Sequence, residues 1–310
     1  MLKIVPKKEM KVLQVIHQFL PSDIGGSEIY TYHLAKELSK KHQVYIFHAV
    51  AAKDKSQYTL TRSKYRGLNI FQVIHNEYYL SFAHTYLDRD IEKKFCEILD
   101  EIKPDVIHFQ HCLFLSVSLI SIAHQRKIPV ILTLHDFWYM CFRGSLCTIR
   151  SKLCSGPHGG LRCIFTYNIF NPNFKSIRHK VLRIAYPIIW VFLNLYLRSL
   201  RNFPKFKVID DHLNKILEKY FPPLYIFRSF VHSILNRDQR IKAVLQQDVD
   251  LIISPSNFVR EKYITWGVPE DKIIHSDYGF NIQLFREYKR SHSRKIRFGF
   301  IGPGNVEQMN

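Results

Sequence analysis

Seven short apolar runs, each bounded by turn residues, punctuate the chain at 12–16, 44–47, 70–74, 106–109, 130–134, 251–253 and 272–274. Continuous apolar runs of this length suit strands buried on both faces, which is the situation of a parallel sheet. Helical patterns separate several of them, at 27–40, 88–102 and 114–125, with 256–266 following the sixth run. Strand alternating with helix predicts an α/β fold: a mostly parallel sheet with helices on both faces. For the first helix the sequence offers Ser27 as its cap and Lys40 and Lys41 at its end, with Ile29, Tyr32, Ala35 and Leu38 repeating every three residues. The second helix is stopped by Lys103-Pro104.

The 310 residues, 46% of them hydrophobic, suffice for one large or two modest domains and exclude a disordered chain. Net charge is +19, so negatively charged partners are expected. That charge is concentrated: residues 141–200 hold nine Arg or Lys and no Asp or Glu, and 141–240 hold seventeen against four. The same stretch, about 137–240, breaks the strand–helix rhythm with six prolines and reads as an insertion projecting between the fifth and sixth runs. Within it, residues 181–200 are apolar around Trp190 but broken by Arg183, Asn194 and Arg198, too soon for a membrane span. Two readings stay open for them: a helix lying in the interface of an anionic leaflet, or a buried helical insertion. At the N-terminus the apolar run is too short for a secretory signal, so no export is expected. Cys141, Cys147, Cys154 and Cys163 cluster with gaps that match no standard zinc pair. With no secretory signal, reduced thiols are expected, with a metal or structural role as the alternative, because the SGPHGG inside the cluster would otherwise be poorly held.

Six histidines fall at or just after carboxyl ends of the proposed strands: His17, His48, His75, His108, His135 and His275. Ligands of open parallel sheets bind outside those ends. For most of the six, the ordinary reading is a polar residue where a strand meets water. His135 is the catalytic candidate, since it follows the most apolar strand and is joined at once by Asp136; His108 and His111 come second. Gly25-Gly26-Ser27-Glu28 form the other constellation, because glycines before a helix let a ligand approach and first-turn amides attract anions. Glu28 complicates a simple phosphate reading, since a carboxylate itself complements the helix dipole. No G-x-G-x-x-G follows the first strand, which disfavours a nicotinamide dehydrogenase.

Taken together, KVLQVIHQFLPSDIGGSEIYTYHLAKELSKKHQVYIF (11–47), HDFWYMCFRG (135–144), LIISPSNFVREKYITWGVPEDKIIHSDYGF (251–280) and FGFIG (298–302) resemble glycosyltransferase family four, of the GT-B fold. The resemblance implies two Rossmann-like domains, the N-terminal one receiving the acceptor and the C-terminal one binding a nucleotide-sugar co-substrate. It implies retention of configuration and no cofactor or metal. By the same resemblance, Gly25, Gly26 and Glu28 match the family's glycine loop near acceptor and leaving-group phosphate, and His135 matches the histidine that contacts the donor sugar. Ser254-Pro255-Ser256 begins a helix, and 276–280, with Asp277 and Gly279, matches the hinge segment; Asn281 stands where the family usually has Asp.

HDFW beside a cysteine cluster is similar to the subset acting on polysaccharides and lipid-linked glycans. The expected partners are therefore a lipid-linked or cell-envelope glycan acceptor and an anionic membrane surface, at the cytoplasmic face of the cell membrane. KIRFGFIG at 295–302 reads as the first strand of the second domain, and the family's later Lys-Gly loop and glutamate pair do not follow it. The expectation is an acceptor-side domain over 1–285, then a hinge and the truncated start of a donor domain over 286–310, inactive alone. The alternative is a non-catalytic acceptor- or membrane-binding module working with a separate donor-domain polypeptide. A nucleic-acid partner is not expected, because the basic excess lies beside an apolar stretch without a groove-reading motif.

Overall fold

The computed structural model describes residues 9–76, 82–148, 152–157, 163, 215–216, 219–220 and 222–279. The 181–200 stretch, Asn281, KIRFGFIG and most of the basic insertion lie outside the described residues. Met1–Asp277 form one compact unit; of the second, Tyr278–Asn310, only Tyr278 and Gly279 are described.

All seven apolar runs are strands: β1 (Lys11–Val15), β2 (Gln43–Val50), β4 (Leu68–Ile74), β5 (Val106–Phe109), β6 (Val130–Thr133), β7 (Leu251–Ser254) and β8 (Ile273–His275). An eighth, β3 (Leu60–Tyr65), runs antiparallel to β4, and the sheet order is β3-β4-β2-β1-β5-β6-β7-β8. Every other pairing is parallel. No apolar run marks β3, because it is an edge strand whose Arg62, Ser63 and Lys64 are exposed. Its turn is legible only in hindsight: Arg66 and Gly67 both have positive φ, 47° and 86°, the backbone of a two-residue hairpin that follows the sheet twist.

The helices are α1 (Gly26–Leu38), α2 (Arg89–Ile102), α3 (Ser118–Gln125), α4 (Pro222–Gln247) and α5 (Asn257–Trp266). Alternate residues of β1 serve two cores, as a sheet covered on both faces requires. Leu13 and Val15 join the large cluster containing residues of α2, α3, α4 and α5; Val12 and Ile16 join a smaller one with Ala35 of α1. This is a Rossmann-like α/β sheet, as expected.

One expectation for α1 fails: Gly25, not Ser27, is the N-cap, and no side chain caps the helix. Of its apolar repeat, Ala35 is buried and Tyr32 and Leu38 pack against the smaller core, but Ile29 is 42% exposed, while Glu28 and Thr31 are buried with Ala35. The third helix starts at Ser118 rather than at 114, since Phe114 sits at φ 59° and cannot be helical. Nor does the whole of 137–240 project. Trp138, Tyr139 and Met140 are buried in the large core, as are Ile234, Ile241 and Leu245 of α4. Arg237 joins the two ends, donating to the Trp138 carbonyl and lying 4.8 Å over the Trp138 ring.

His75, one of the strand-end histidines, has a structural setting. Its Nε2 lies 3.5 Å from Asp88 Oδ2, which also accepts from Tyr58 Oη at 2.9 Å. Asp88 Oδ1 caps α2 through the amides of Asp90 and Ile91. Asp88→Ala removes this buried cap, and we expect it to cost at least about 1–2 kcal/mol in urea unfolding; an unchanged midpoint contradicts the assignment.

Candidate functional site

Adjacent parallel strands deliver their carboxyl ends to one rim. Beyond β1 comes His17, beyond β5 Gln110 and His111, and beyond β6 His135 and Asp136; the glycine loop 25–26 leads into α1 at the same place. The structure thereby brings together His111, His135, Asp136 and Glu28, and adds His17, which sequence reasoning had not preferred.

Glu28 is only 4% exposed and is held three ways. His17 Nε2 lies 3.3 Å from Oε1, and Ser27 Oγ donates to Oε2 at 3.1 Å. The carboxylate also folds back over Gly25, where a Cβ would collide with Oε2. Gly25 is therefore glycine because Glu28 occupies the space of its side chain; a Cβ on Gly26 would meet nothing. The position in which a helix start would hold an anion is filled by the protein's own carboxylate.

The His111 ring is buried between His17, at 4.6 Å between centroids, and Trp138, at 5.2 Å. Its Nδ1 accepts from the Leu113 amide at 3.0 Å, so the ring hydrogen is on Nε2, which faces Asp136 Oδ1 at 3.4 Å. Asp136 also accepts from the Trp138 amide at 2.7 Å, while its side chain remains 44% exposed. Partial burial alone would raise its pKa, but the hydrogen bonds from His111 and from the Trp138 amide hold it below the usual carboxylate value. At Gly144, with φ 73°, an added Cβ would lie 3.0 Å from Asp136 Oδ2.

His135 donates from Nε2 to Gln110 Oε1 at 2.8 Å and meets the Tyr30 ring edge-on at 5.2 Å. Burial lowers its pKa to about 3, with His111 and His108 adding to the effect. His17 is likewise lowered to about 3, by burial and then by His111. His108 is a different case. It is buried beside β6, 2.7 Å from Thr133 Oγ1, and belongs to the sheet interior rather than to the open rim. His48 is also interior, with Nδ1 2.8 Å from the Ala49 carbonyl. Burial lowers the pKa of each to about 4. His275 pairs with Asp277 at 3.1 Å on the surface, Asp277 being 85% exposed, and a Cβ on Gly279 would meet nothing. Among the described residues no three ligating side chains are arranged to hold a metal.

Gln110 and Tyr30 are the residues that sequence reasoning missed, whereas His17 was named among the strand-end histidines without being preferred. Position alone could have found Gln110, since it follows a strand at the centre of the sheet. Tyr30 carried no such signal, because its contact with His135 depends on how α1 lies across the sheet.

The four neutral histidines make stability fall with acid. Their pKa values drop from 6.5 in the unfolded chain to 3–4 in the fold, so the unfolded chain binds protons first. Their contribution is complete above pH 6.5 and is lost as pH falls from there towards 4, by about 1.4 kcal/mol per pH unit for each histidine. Asp136, perturbed below 3.8, adds nothing in that window. Urea unfolding at pH 7.5 and 5.0 checks this: the midpoint should fall clearly at pH 5.0, and a constant one contradicts the buried, neutral cluster.

Among solved structures the chain is similar to UDP-N-acetylglucosamine 2-epimerase from Rickettsia bellii, with 11% identity, 87% of this chain and 45% of that one covered, and a TM-score of 0.39. It is also similar to Anabaena Alr3699/HepE in complex with UDP-glucose, with 10% identity, 89% and 46% covered, and a TM-score of 0.40. A third is the catalytic domain of Starch Synthase IV from Arabidopsis thaliana bound to ADP and acarbose, with 16% identity, 42% and 35% covered, and a TM-score of 0.31. The chain spans less than half the length of each of these structures. No curated protein matches it. The model of Glycosyltransferase Family 4 matches residues 24–201, more than half of the chain, from the glycine loop through His135 and Asp136 into the basic insertion. The chain belongs to glycosyltransferase family 4.

Proposed function

We propose that this chain supplies the acceptor side of a retaining glycosyltransferase that moves a sugar from a nucleotide-sugar to a lipid-linked or cell-envelope glycan. The observation that carries the reading is the convergence of Glu28, His17, His111, Asp136 and His135 on the rim of β1, β5 and β6, all but His17 inside the segment that matches the family. In this reading His135 and Asp136 contact the transferred sugar, while the loop at Gly25, Gly26, Ser27 and Glu28 borders the acceptor hydroxyl. A retaining transfer on one face of the sugar asks for positioning and charge stabilisation more than for a strong base. Neutral histidines with fixed hydrogens and two carboxylates meet that demand. The donor nucleotide is held mainly by polypeptide beyond the described unit, in the same chain or in a separate one. No metal or cofactor enters the scheme.

The basic stretch at 141–240 supports a peripheral position on an anionic membrane face, each residue near the surface contributing about 1 kcal/mol. No helix among the described residues is long and apolar enough to cross a membrane.

The test incubates the chain with nucleotide-diphosphate sugars and polyprenyl-phosphate-linked saccharides on phosphatidylglycerol vesicles, alone and with a donor-domain polypeptide added. Nucleoside diphosphate release and the anomeric configuration of the product are read. We expect a product with the donor's configuration, His135→Ala lowering transfer by about 100-fold, and weaker transfer on neutral vesicles. Transfer that survives both His135→Ala and Asp136→Ala overturns the site. If saccharide binds but no transfer occurs under either condition, the chain is a non-catalytic acceptor module.

A further inference from the structure

Two glutamines stand where a buried strand should be apolar. Gln14 of β1 and Gln110, just beyond β5, are both fully buried, and an unbonded amide there would be costly. They are bonded in series. His135 Nε2 lies 2.8 Å from Gln110 Oε1, and Gln110 Nε2 lies 2.7 Å from Gln14 Oε1. The strand register explains the alignment: β1 and β5 are neighbours with Gln14 opposite His108, which places Gln110 two residues further on the same face. Thr133 and His135 extend that face on β6.

We infer that Gln110, backed by Gln14, is a positioning residue that fixes the tautomer and orientation of His135. This rests on the reading of His135 as the residue that meets the sugar. An amide oxygen only accepts, so a ring nitrogen facing it must carry the hydrogen. With Gln110 Nε2 committed to Gln14 Oε1, Gln110 Oε1 is the atom turned to His135. The imidazole therefore keeps its hydrogen on Nε2, and its Nδ1 can act only as an acceptor. A neutral ring of this kind suits the hydroxyl of a sugar and disfavours a phosphate oxygen.

The ladder has one alternative polarity. Turning both amides would make Gln110 Nε2 donate to the ring and move the histidine hydrogen to Nδ1. The atom at the far end, Gln14 Nε2, is buried without a partner in the present arrangement. That orphan is the cost of this polarity, which the reversed ladder would move to a carbonyl oxygen, so the tautomer of His135 decides the direction; the orphan also indicates how a carboxylate at 110 would be received. In Gln110→Glu, Gln14 can turn its amide and donate from Nε2 to the new carboxylate, whose other oxygen still accepts from His135.

The experiment is ¹⁵N NMR of the histidine-labelled chain, without substrate, between pH 5.5 and 8.5. In the wild type we expect His135 as the Nε2–H tautomer throughout. Gln110→Glu should keep that tautomer and bring the ring's protonation into the measured range, because a negative charge now faces it. Gln110→Leu should abolish the single tautomer, giving exchange between the two forms. An Nδ1–H ring in the wild type overturns the inference, and so does an unchanged Nε2–H ring in Gln110→Leu, which would make Gln110 a packing residue only. If the leucine variant does not fold, the wild type and Gln110→Glu still decide the matter. Since the tautomer is read without transfer, this result and the dependence of transfer on His135 can fail separately.

Discussion

A parallel sheet buried on both faces leaves little room for chemistry except at its ends. β1 lies between β2 and β5 with Leu13 and Val15 in one core and Val12 and Ile16 in the other, so polar side chains along it are admitted only when bonded. The polar residues of the strands obey this. Gln14 is tied to Gln110, and His108 to Thr133. His17, Gln110, His111, His135 and Asp136 instead follow the last residues of their strands, and because β1, β5 and β6 are parallel neighbours, they reach the same edge.

What collects there is not a ring of cations. Burial keeps His17 and His135 neutral, and the charge of the rim resides on Glu28 and Asp136. Asp136 is met by the His111 N–H and Glu28 lies 3.3 Å from His17 Nε2, and each has a glycine beside it: a Cβ at Gly25 would strike Glu28, and one at Gly144 would crowd Asp136. Side-chain volume, hydrogen position and charge are thus set together. Such pre-organisation is what a reaction governed by orientation requires.

The strands and the rim were legible in the sequence because a buried parallel strand writes itself as an apolar run, and its carboxyl end follows at once. The fold class, α1, α2, α5 and the adjacency of His135 and Asp136 came from that signal, whereas α4 emerged from the stretch read as an insertion. The signal was blind to β3, whose Arg62 and Lys64 face water, and to the true start of the third helix, set by the left-handed backbone of Phe114. The three-residue apolar repeat of α1 faces the core at Tyr32, Ala35 and Leu38 and departs only at Ile29, because the site draws in Glu28 beside it. His108 looked equivalent to His111 in sequence. Only register separates them, one beside Thr133 in the interior and the other against Asp136 at the rim.

The central claim is that acceptor and sugar meet at this rim, and amide hydrogen exchange measured with saccharide acceptors and nucleotide-diphosphate sugars tests it most directly. The account predicts new protection at 25–28, 110–111 and 135–136, lost in Asp136→Ala. Protection confined to the β3–β4 hairpin or to α5, with the rim unchanged, would contradict it.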